Sequence, residues 1–300
     1  MYKKLLGSLS ILVLVGIAFF IHSKQQSYTN PASWYVDFDV SMEAKKYPEK
    51  LDPHWGAPVY DILKKIYEKN NLKKIIYTEK VRIPRIIHQI WLGSPVPEEY
   101  LWLQKTWLEH NPGWEYRLWT DTEAEEFMAQ QSEELQGYYN EAINYGEKSD
   151  ILKWLVVYTF GGLYTDLPDY ECLRPMDMFH HCYDFYTGIQ PLGTSLVQLG
   201  AALFAAKPGH PILKHCIDTL RHDRHRVQIV DKTGPIHFTR SFCTVAPQLT
   251  TPVVAFPASY FYPRAYDQSF EQRKEWLKPE SFAVHHWAGS WLKKEGFVKK

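Results

Sequence analysis

Residues 160–171 have the sequence FGGLYTDLPDYE, and this stretch decides the fold. The run Leu163–Thr165 predicts a short strand that carries Asp166 at its end. A helix is predicted upstream, from about Glu147 to Phe160, because two glycines follow it and glycine is the usual C-terminal cap. A helix that leads directly into a buried strand indicates an α/β sheet with acidic residues at the carboxyl end of one strand.

Strands and helices also alternate upstream of this stretch. The apolar run Arg85–Leu92 predicts a buried strand, and a helix follows over about Glu98–Glu109. Residues Trp114–Trp119 alternate like a strand, and Thr120 and Asp121 can cap the next helix. This order of elements predicts a parallel α/β sheet.

Further elements are predicted on either side. A helix is expected over about Val59–Lys69, a strand over Leu199–Lys207 and a helix over Ile212–Arg221. The sequence Thr233-Gly-Pro235 marks another helix start, because proline is favoured in the first helical turn. A late strand is expected over Phe282–His286.

The first 24 residues have the pattern of a membrane anchor. Residues Leu5–Ile21 are almost wholly apolar and follow Lys3 and Lys4, and a stretch of this length is within the range of a spanning helix. A cleaved signal peptide is the alternative, but the small-residue cleavage site that it needs is not evident. We therefore expect an uncleaved transmembrane helix of a single-pass type II membrane protein, with its body lumenal or extracytoplasmic.

The remainder divides into a stem with an N-terminal helical cap (25–80) and the α/β domain (81–300). Lysine plus arginine equals aspartate plus glutamate at 34 each, so charge gives no reason to expect nucleic acid as a partner. The 11 Trp, 20 Tyr and 15 Phe residues favour sugars or nucleobases as ligands, although aromatic residues also fill cores. Four scattered cysteines argue against a zinc module and leave one or two disulfides open.

Asp166 and Asp169 are the first candidates for a functional site. Ligands of parallel α/β sheets bind at the carboxyl ends of strands, and hard divalent cations prefer carboxylate oxygens. Magnesium or manganese bound by these aspartates would hold a diphosphate as leaving group; the alternative is a solvated acidic loop. On the preceding helix, Asp150 and Lys153 share a face and would contact sugar hydroxyls and phosphate, or form an ordinary ion pair.

Three more features are candidates for ligand contacts. Trp91 ends the first strand of the domain, where a nucleobase could stack on its indole, or it is a core tryptophan. Gly234 and Pro235 open a helix whose amides can meet an anion or a hydroxyl, although a structural turn accounts for them equally. In HHWAGSW (residues 285–291), the histidines could meet metal or phosphate, and the serine and the last tryptophan could donate to phosphate oxygens.

Together these strings resemble the DXD-containing sugar transferases of glycosyltransferase family 32, which include mannosyltransferases. The resemblance spans about residues 81–291, and the strings keep the family's order. The matching strings are IPRIIHQIWLG (83–93), NPGWEYRLWTD (111–121), SDILKW (149–154), FGGLYTD (160–166), DYECLRPMD (169–177), KPGHP (207–211), TGP (233–235) and HHWAGSW (285–291).

The resemblance implies a GT-A type α/β fold, with a Rossmann-like nucleotide-binding sheet and attached acceptor-side helices. It implies metal-dependent, retaining transfer of a hexose, such as mannose, from a GDP- or UDP-sugar to a saccharide or glycolipid acceptor. The catalytic residues would be Asp150, Lys153, Asp166 and Asp169. The donor would be bound by Trp91, Asp150, Asp166, Gly234, Pro235, Ser290 and Trp291. Manganese or magnesium would be bound by Asp166 and Asp169, with His286 as a further candidate ligand.

Two departures from the family pattern bear on activity. The family usually has arginine where Lys153 stands, and lysine lacks the planar fork that binds two oxygens. The family's D-x-D is here D-L-P-D, and residues three apart point to opposite faces of a regular strand. We predict a bulge or turn at Leu167-Pro168 that returns both carboxylates to one side. The alternatives are a degenerate, non-catalytic sugar-binding or scaffold protein on a membrane, and a glycosidase with paired carboxylates.

Overall fold

A six-stranded β-sheet lies at the centre of the molecule. The computed structural model describes residues 29–44, 51–192, 196–268 and 271–289. The strands are β1 (Ile86–Ile90), β2 (Glu115–Trp119), β3 (Gly162–Thr165), β4 (Tyr170–Cys172), β5 (Phe185–Ile189), β6 (Leu199–Ala206), β7 (Val253–Phe256) and β8 (Ala283–His285). Six of them form the central sheet in the order β2-β1-β3-β6-β5-β7, and β4 pairs with β8 in a separate two-stranded sheet.

Helices surround this sheet. They are α1 (Phe38–Ser41), α2 (Gly56–Asn70), α3 (Leu101–His110), α4 (Asp121–Met128), α5 (Glu133–Asn140), α6 (Tyr145–Phe160), α7 (Asp177–Cys182), α8 (Pro211–Asp223), α9 (Ile229–Lys232), α10 (Pro235–Val245) and α11 (Arg273–Trp276). The predicted helices correspond to α2, α3, α4, α6, α8 and α10. Thr120 caps α4 in a capping box with Glu123, as the sequence indicated.

Five strands of the central sheet run in one direction, and β6 runs in the other. β1 is parallel to β2 and β3, and β5 is parallel to β7, whereas β6 is antiparallel to both β3 and β5. The predicted parallel sheet is therefore right for β1, β2 and β3 and wrong for β6. The physical reason is the short connection 190–198 from β5 to β6, because a parallel pair needs a crossover of about a dozen residues or more.

Two glycines set the turn from α6 into β3. Gly161 and Gly162 have φ of 67° and 105°, a region that residues with a side chain rarely adopt. A Cβ atom on Gly161 would lie 2.6 Å from Pro208, and one on Gly162 would lie 2.6 Å from the Ile86 carbonyl oxygen. The glycine pair therefore lets β3 begin immediately after the helix, against β1, and carries the chain to Asp166 at the other edge of the sheet.

A buried tryptophan ties helix α6 to the sheet and to α10. The Trp154 ring is fully buried and lies 4.8 Å from the Phe204 ring of β6 and 4.9 Å from the Phe238 ring of α10. Its indole N–H donates to the Thr233 carbonyl at 3.1 Å. Aromatic burial of this kind stabilises the core by several kcal/mol, on the order of 3–5 for loss of the whole side chain. It also fixes the loop before α10 relative to α6.

The four cysteines, Cys172, Cys182, Cys216 and Cys243, are free thiols, so the disulfides that the sequence left open are not formed. In the part of the chain that the structure describes, no helix combines the length and the apolar character needed to cross a bilayer. The predicted transmembrane helix at Leu5–Ile21 lies outside that part.

Candidate active site

The chain turns sharply at residues 166–169, where β3 ends; we call these residues the aspartate turn. The Asp166 N–H still donates to the Ala202 carbonyl of β6 at 2.9 Å, and the Tyr170 N–H donates back to the Asp166 carbonyl at 3.3 Å. Residues 167–169 form the turn between these two bonds. The predicted turn at Leu167-Pro168 is confirmed, and it accommodates the extra residue of the D-L-P-D sequence.

Neutral groups donate to the two carboxylates of the aspartate turn. The Tyr164 hydroxyl donates to Asp166 Oδ1 at 2.5 Å. The Ala288 N–H donates to Asp169 Oδ1, and His285 Nε2 lies 4.0 Å from the same oxygen. Asp166 is thus oriented from β3 of the central sheet, and Asp169 from β8 and the segment that follows it.

The negative charge of Asp166 is unfavourable at the position of its carboxylate. Burial raises the pKa of Asp166, Lys153 opposes that rise, and the negative charge of Asp169 adds to it. A cation beside both carboxylates would remove the repulsion, so the donor set fits Mg²⁺ or Mn²⁺, which take one or two carboxylates and complete their shell with phosphates and water. Within the described residues, no cluster of three or more His, Cys, Asp or Glu could hold a metal ion by itself.

Glu171 and His286 form a separate ionic group on β4 and just after β8. Arg273 donates two hydrogen bonds of 2.9 Å to Glu171, and His286 Nε2 donates a third at 3.0 Å. Burial would raise the pKa of Glu171, but these donors hold it below its ordinary value. The other ring nitrogen of His286 accepts from Arg264 at 3.2 Å. The structure therefore does not bring His286 to the two aspartates as a third ligand, because its ring is engaged elsewhere.

Of the two histidines predicted to meet metal or phosphate, His285, and not His286, has its ring beside the aspartate turn. Its ring packs against Tyr170, Tyr262 and Trp287. Burial lowers its pKa to about 3, so the ring is neutral. The Trp287 N–H donates to Nδ1 at 3.2 Å, which assigns the proton to Nε2 on the side of Asp169. Only the pairing of β4 with β8 reveals this contact, because the residues are more than a hundred positions apart.

A buried ion pair on α6 lies next to the aspartate turn. Asp150 Oδ1 is 2.5 Å from Lys153 Nζ, and Thr233 Oγ1 donates to Asp150 Oδ2 at 2.9 Å. Lys153 is 3% exposed, and its ammonium group lies 5.4 Å from the centre of the Tyr164 ring, whose hydroxyl holds Asp166. The pair is therefore part of the site, unlike the exposed ion pair that the sequence left as the alternative. A Cβ on Gly234 would lie 3.3 Å from Asp150 Oδ2, so glycine permits this close approach.

A cavity of about 70 Å³ adjoins this ion pair. It is lined by Tyr138, Glu141, Glu147, Ile151, Leu220, Arg224, Lys232 and Thr233. Its charges are paired: Lys232 binds Glu147, and Arg224 binds Glu141 at 2.8 Å. Thr233 both lines the cavity and holds Asp150, and Pro235, two residues later, is the first residue of α10 as predicted.

Trp91 lies at the end of β1, largely buried. Its indole N–H donates to Ser94 Oγ and to the Pro95 carbonyl, both at 3.1 Å, and its ring lies 5.6 Å from the Tyr100 ring. Burial raises the pKa of Tyr100, and Glu99 and then Asp169 add to the rise. Tyr100, which no local sequence signal marks, therefore stands between Trp91 and the aspartate turn.

The segment after β8 crosses the aspartate turn. The His286 N–H donates to the Asp169 carbonyl at 2.7 Å. Trp287 adopts a φ of 58°, a conformation that a bulky residue rarely takes and that is often found at functional sites. The next residues of the predicted string, Ser290 and Trp291, lie outside the described residues.

Residues 97–186 match the family model described as "Glycosyltransferase sugar-binding region containing DXD motif". This range includes the aspartate turn and the Asp150–Lys153 pair. The chain contains a glycosyltransferase sugar-binding region. Trp91, Thr233 and the β8 segment lie outside the matched range but contribute to the same site as the sugar-binding region.

Several curated proteins are similar to about half of this chain. The chain is 31% identical to "Inositol phosphoceramide mannosyltransferase 3" of Schizosaccharomyces pombe, over 49% of this chain and 40% of that protein. It is 29% identical to "Inositol phosphoceramide mannosyltransferase 1" of the same organism, over 60% and 57%. It is 30% identical to "Mannosyl phosphorylinositol ceramide synthase SUR1" of Saccharomyces cerevisiae, over 51% and 40%. The chain thus spans about half the length of the curated relatives that it matches.

Two solved structures are similar in part. The PaToxG glycosyltransferase has a TM-score of 0.47 and 18% identity, over 68% of this chain and 80% of that chain. The UDP-bound glycosyltransferase domain of the YGT toxin has a TM-score of 0.41 and 10% identity, over 63% and 82%.

Proposed function

We propose that this chain is a glycosyltransferase that moves a hexose from a nucleoside-diphosphate sugar to a hydroxyl acceptor, on a GT-A type sheet. The observation that carries the proposal is the placement of the aspartate turn beside the buried Asp150–Lys153 pair, within the sugar-binding region. The first group suits a cation-bound diphosphate, and the second suits the hydroxyls of a sugar ring.

Asp166 and Asp169 would hold Mn²⁺ or Mg²⁺, and this cation would neutralise the diphosphate as it leaves. Lys153 and Thr233 hold the Asp150 carboxylate in place, so that its remaining lone pairs can accept from donor-sugar hydroxyls. The base would lie against the aromatic surface of Trp91 and Tyr100, which stands beside the aspartate turn.

We propose that transfer retains the anomeric configuration, with attack on the same face from which the diphosphate departs. Asp150 is the carboxylate nearest to the proposed sugar position, and it is engaged by a lysine and a threonine. It is therefore suited to orient a sugar rather than to form a covalent bond with it. The departing phosphate would take the proton of the acceptor hydroxyl.

For the acceptor, we propose an inositol-bearing lipid, and for the sugar, mannose, since the relatives' names give mannose and inositol phosphoceramide. The cavity beside Thr233 would receive the headgroup, because its paired charges suit a ring rich in hydroxyl groups. Replacing Leu220 by tryptophan should fill the cavity, raise the KM for the acceptor about tenfold and leave donor hydrolysis unchanged. This factor corresponds to about 1.4 kcal/mol. An unchanged acceptor KM in a folded variant would place the acceptor elsewhere.

We also propose that residues 5–21 anchor the chain in a membrane, with the site on the lumenal or extracytoplasmic face and no role for nucleic acid. The apolar run and the preceding lysines support this orientation. Protease added to sealed vesicles separates the two faces. Digestion of the body only after the vesicles are opened supports a lumenal site, and digestion from the cytoplasmic face contradicts it.

The deciding experiment is a donor screen with the full chain in detergent. GDP- and UDP-sugars are supplied with Mn²⁺ or Mg²⁺, and release of the nucleoside diphosphate is followed with and without an inositol-bearing lipid. We expect one donor to be consumed, activity to disappear in excess chelator and activity to return when metal is added back. Full turnover in chelator would exclude the proposed metal site. Donor binding without turnover would identify the non-catalytic sugar-binding protein, the alternative that the D-L-P-D spacing raised.

A further inference from the structure

Arg264, near the site, forms no salt bridge with aspartate or glutamate among the described residues, unlike most arginines of this chain. Eight of the ten arginines form salt bridges with aspartate or glutamate in the described residues. Arg174 instead donates to the Ser281 carbonyl and lies over the Trp34 ring. Among the described residues, Arg264 makes its side-chain hydrogen bond to Nδ1 of His286, at 3.2 Å, and forms no salt bridge with a carboxylate.

Arg264 is also partly desolvated. Its Nε is buried and has no hydrogen-bond partner among the described residues, although the guanidinium carries a full charge. Its main chain is fixed, because the Trp287 indole donates to the Arg264 carbonyl at 2.9 Å. A buried donor on a charged group costs stability unless a ligand or a counter-ion satisfies it. The fold thus holds a cation that donates to His286 and leaves its buried Nε–H without a partner among the described residues.

The position of Arg264 shows which ligand would use these donors. His286, which it contacts, follows β8, and the same residue's N–H donates to the Asp169 carbonyl at 2.7 Å. Arg264 contacts the segment 286–289 at two points, through its guanidinium at His286 and its carbonyl at Trp287, and this segment crosses the aspartate turn at Ala288. A guanidinium on one side and two aspartates with a cation on the other would enclose an anion, and the planar fork of arginine binds two phosphate oxygens at once.

We propose that Arg264 binds the diphosphate of the nucleotide-sugar donor and of the departing nucleoside diphosphate. The inference rests on the proposed function. Arg264 supplies a fixed positive charge opposite the aspartate turn, and it partly replaces the fork that the chain lacks at Lys153. A phosphate on the acceptor lipid has the same chemistry, and the experiment separates the two sources.

The experiment measures ligand binding by calorimetry with the full chain in detergent, in Mn²⁺. The ligands are GDP, UDP, the two corresponding nucleosides and inositol phosphate. Arg264→Met keeps the length of the side chain and removes its charge, and Arg264→Lys keeps the charge and removes the fork. Arg82→Met is the matched control, because Arg82 binds Asp184 at the opposite edge of the sheet.

We expect Arg264→Met to weaken nucleoside diphosphate binding about 10- to 100-fold and Arg264→Lys to weaken it less, as for a lost charged hydrogen bond. Nucleoside and inositol phosphate binding should not change, and Arg82→Met should bind like the parent. Unchanged diphosphate affinity in either folded Arg264 variant would overturn the inference, as would a loss confined to inositol phosphate. If Arg264→Met does not fold, Arg264→Lys alone decides. Failure of the parent chain to bind any nucleoside diphosphate would instead reject the proposed function.

Discussion

Two groups of acidic side chains in this molecule differ in what surrounds them. In the aspartate turn, Asp166 accepts from a phenol and lies near a second carboxylate, and its pKa is raised, first by burial and then by that like charge. The other group, which we call the arginine–aspartate network, joins α8, α9 and α10. It consists of Asp223, Arg226, Asp231, His237 and Arg240.

The carboxylates of the network are matched by cations. Asp223 accepts from Arg226 at 2.7 Å, from Arg240 at 2.6 Å and from His237 at 2.8 Å. Asp231 accepts from the same two arginines. Burial alone would raise the pKa of Asp223, but these three donors hold it well below its usual range.

The comparison separates carboxylates that stabilise the fold from carboxylates that need a ligand. The fold favours the ionised form of Asp223, and it disfavours the ionised form of Asp166. A carboxylate whose ionised form is destabilised by its surroundings is stabilised when a cation binds beside it. Groups with such perturbed pKa values cluster at functional sites. The candidate metal site is marked by the direction of the pKa shift, which is upward for Asp166 and downward for Asp223. The presence of neighbouring acidic residues does not distinguish the two groups.

The largest expected effect is on activity at the aspartate turn. Asp166→Asn keeps the hydrogen bond from Tyr164 and removes one charge, so transfer should fall about 1,000-fold, the scale for losing one preorganised electrostatic contact in a site. Initial rates at saturating Mn²⁺ measure it. The melting temperature should stay the same or rise, because the lost charge was unfavourable. A variant with more than a tenth of the parent's rate would show that Asp166 does not hold the metal.

Replacing an aspartate of the arginine–aspartate network by asparagine should lower the stability of the fold, whereas Asp166→Asn should not. Asp223→Asn leaves Arg226 and Arg240 with only one of the two aspartates that they share, Asp231, and we expect a loss of about 3 kcal/mol in the free energy of unfolding. Urea unfolding followed by circular dichroism measures it. Asp218→Asn is the control on the same helix, because Asp218 is exposed and, among the described residues, forms an ion pair with Lys214 alone. Its loss should therefore stay below about 0.5 kcal/mol. Equal losses of unfolding free energy for the two variants would show that Asp223 stabilises the fold no more than an exposed aspartate does.

Local signals in the sequence account for much of the fold. The glycines after α6, the proline at the start of α10 and the helix cap at Thr120 each depend on neighbouring residues, and the structure confirms all three. The reversed direction of β6 was missed, since it depends on the length of one connection and on which strand lies alongside. Strands β5 and β7 were also missed, because short apolar runs do not distinguish strands from other buried segments.

Local sequence signals likewise predicted part of the candidate site. Asp150, Lys153, Asp166 and Asp169 lie in contiguous strings, and the structure brings them together. Tyr100 and Arg264 reach the site only through long-range contacts, and nothing in their local sequence marks them. The choice of His286 as a metal ligand shows the limit: His285, the last residue of β8, lies beside Asp169, whereas the ring of His286, just after the strand, binds Glu171. Only the pairing of β8 with β4 distinguishes the two histidines.

The pH dependence of stability offers a finer test of the network. An aspartate whose folded pKa is lowered adds stability that is present above the unfolded pKa, about 3.9, and that is lost as pH falls through the folded value. The difference in unfolding free energy between the parent and Asp223→Asn should therefore shrink by about 1–2 kcal/mol between pH 5 and pH 3. Other titrating groups cancel in this difference. A constant difference over that range would mean that Asp223 is not held ionised by its arginines.

The smallest expected effect is on the KM for the donor, and it tests a link between the arginine–aspartate network and the active site. Arg240 binds Asp231 in α9, and α9 leads directly to Thr233, which holds Asp150 in the site. Arg240 is therefore a positioning residue: Arg240→Met should loosen α9 and raise the donor KM about fivefold, close to 1 kcal/mol, while kcat changes less than twofold. A purely structural role would lower the melting temperature and leave the KM of the folded fraction unchanged. Arg240→Lys should restore part of the donor affinity, because it keeps one of the two contacts. If Arg240→Met instead lowers kcat as severely as Asp166→Asn, the network acts on the chemistry, and the division between a structural and a functional acidic group is wrong.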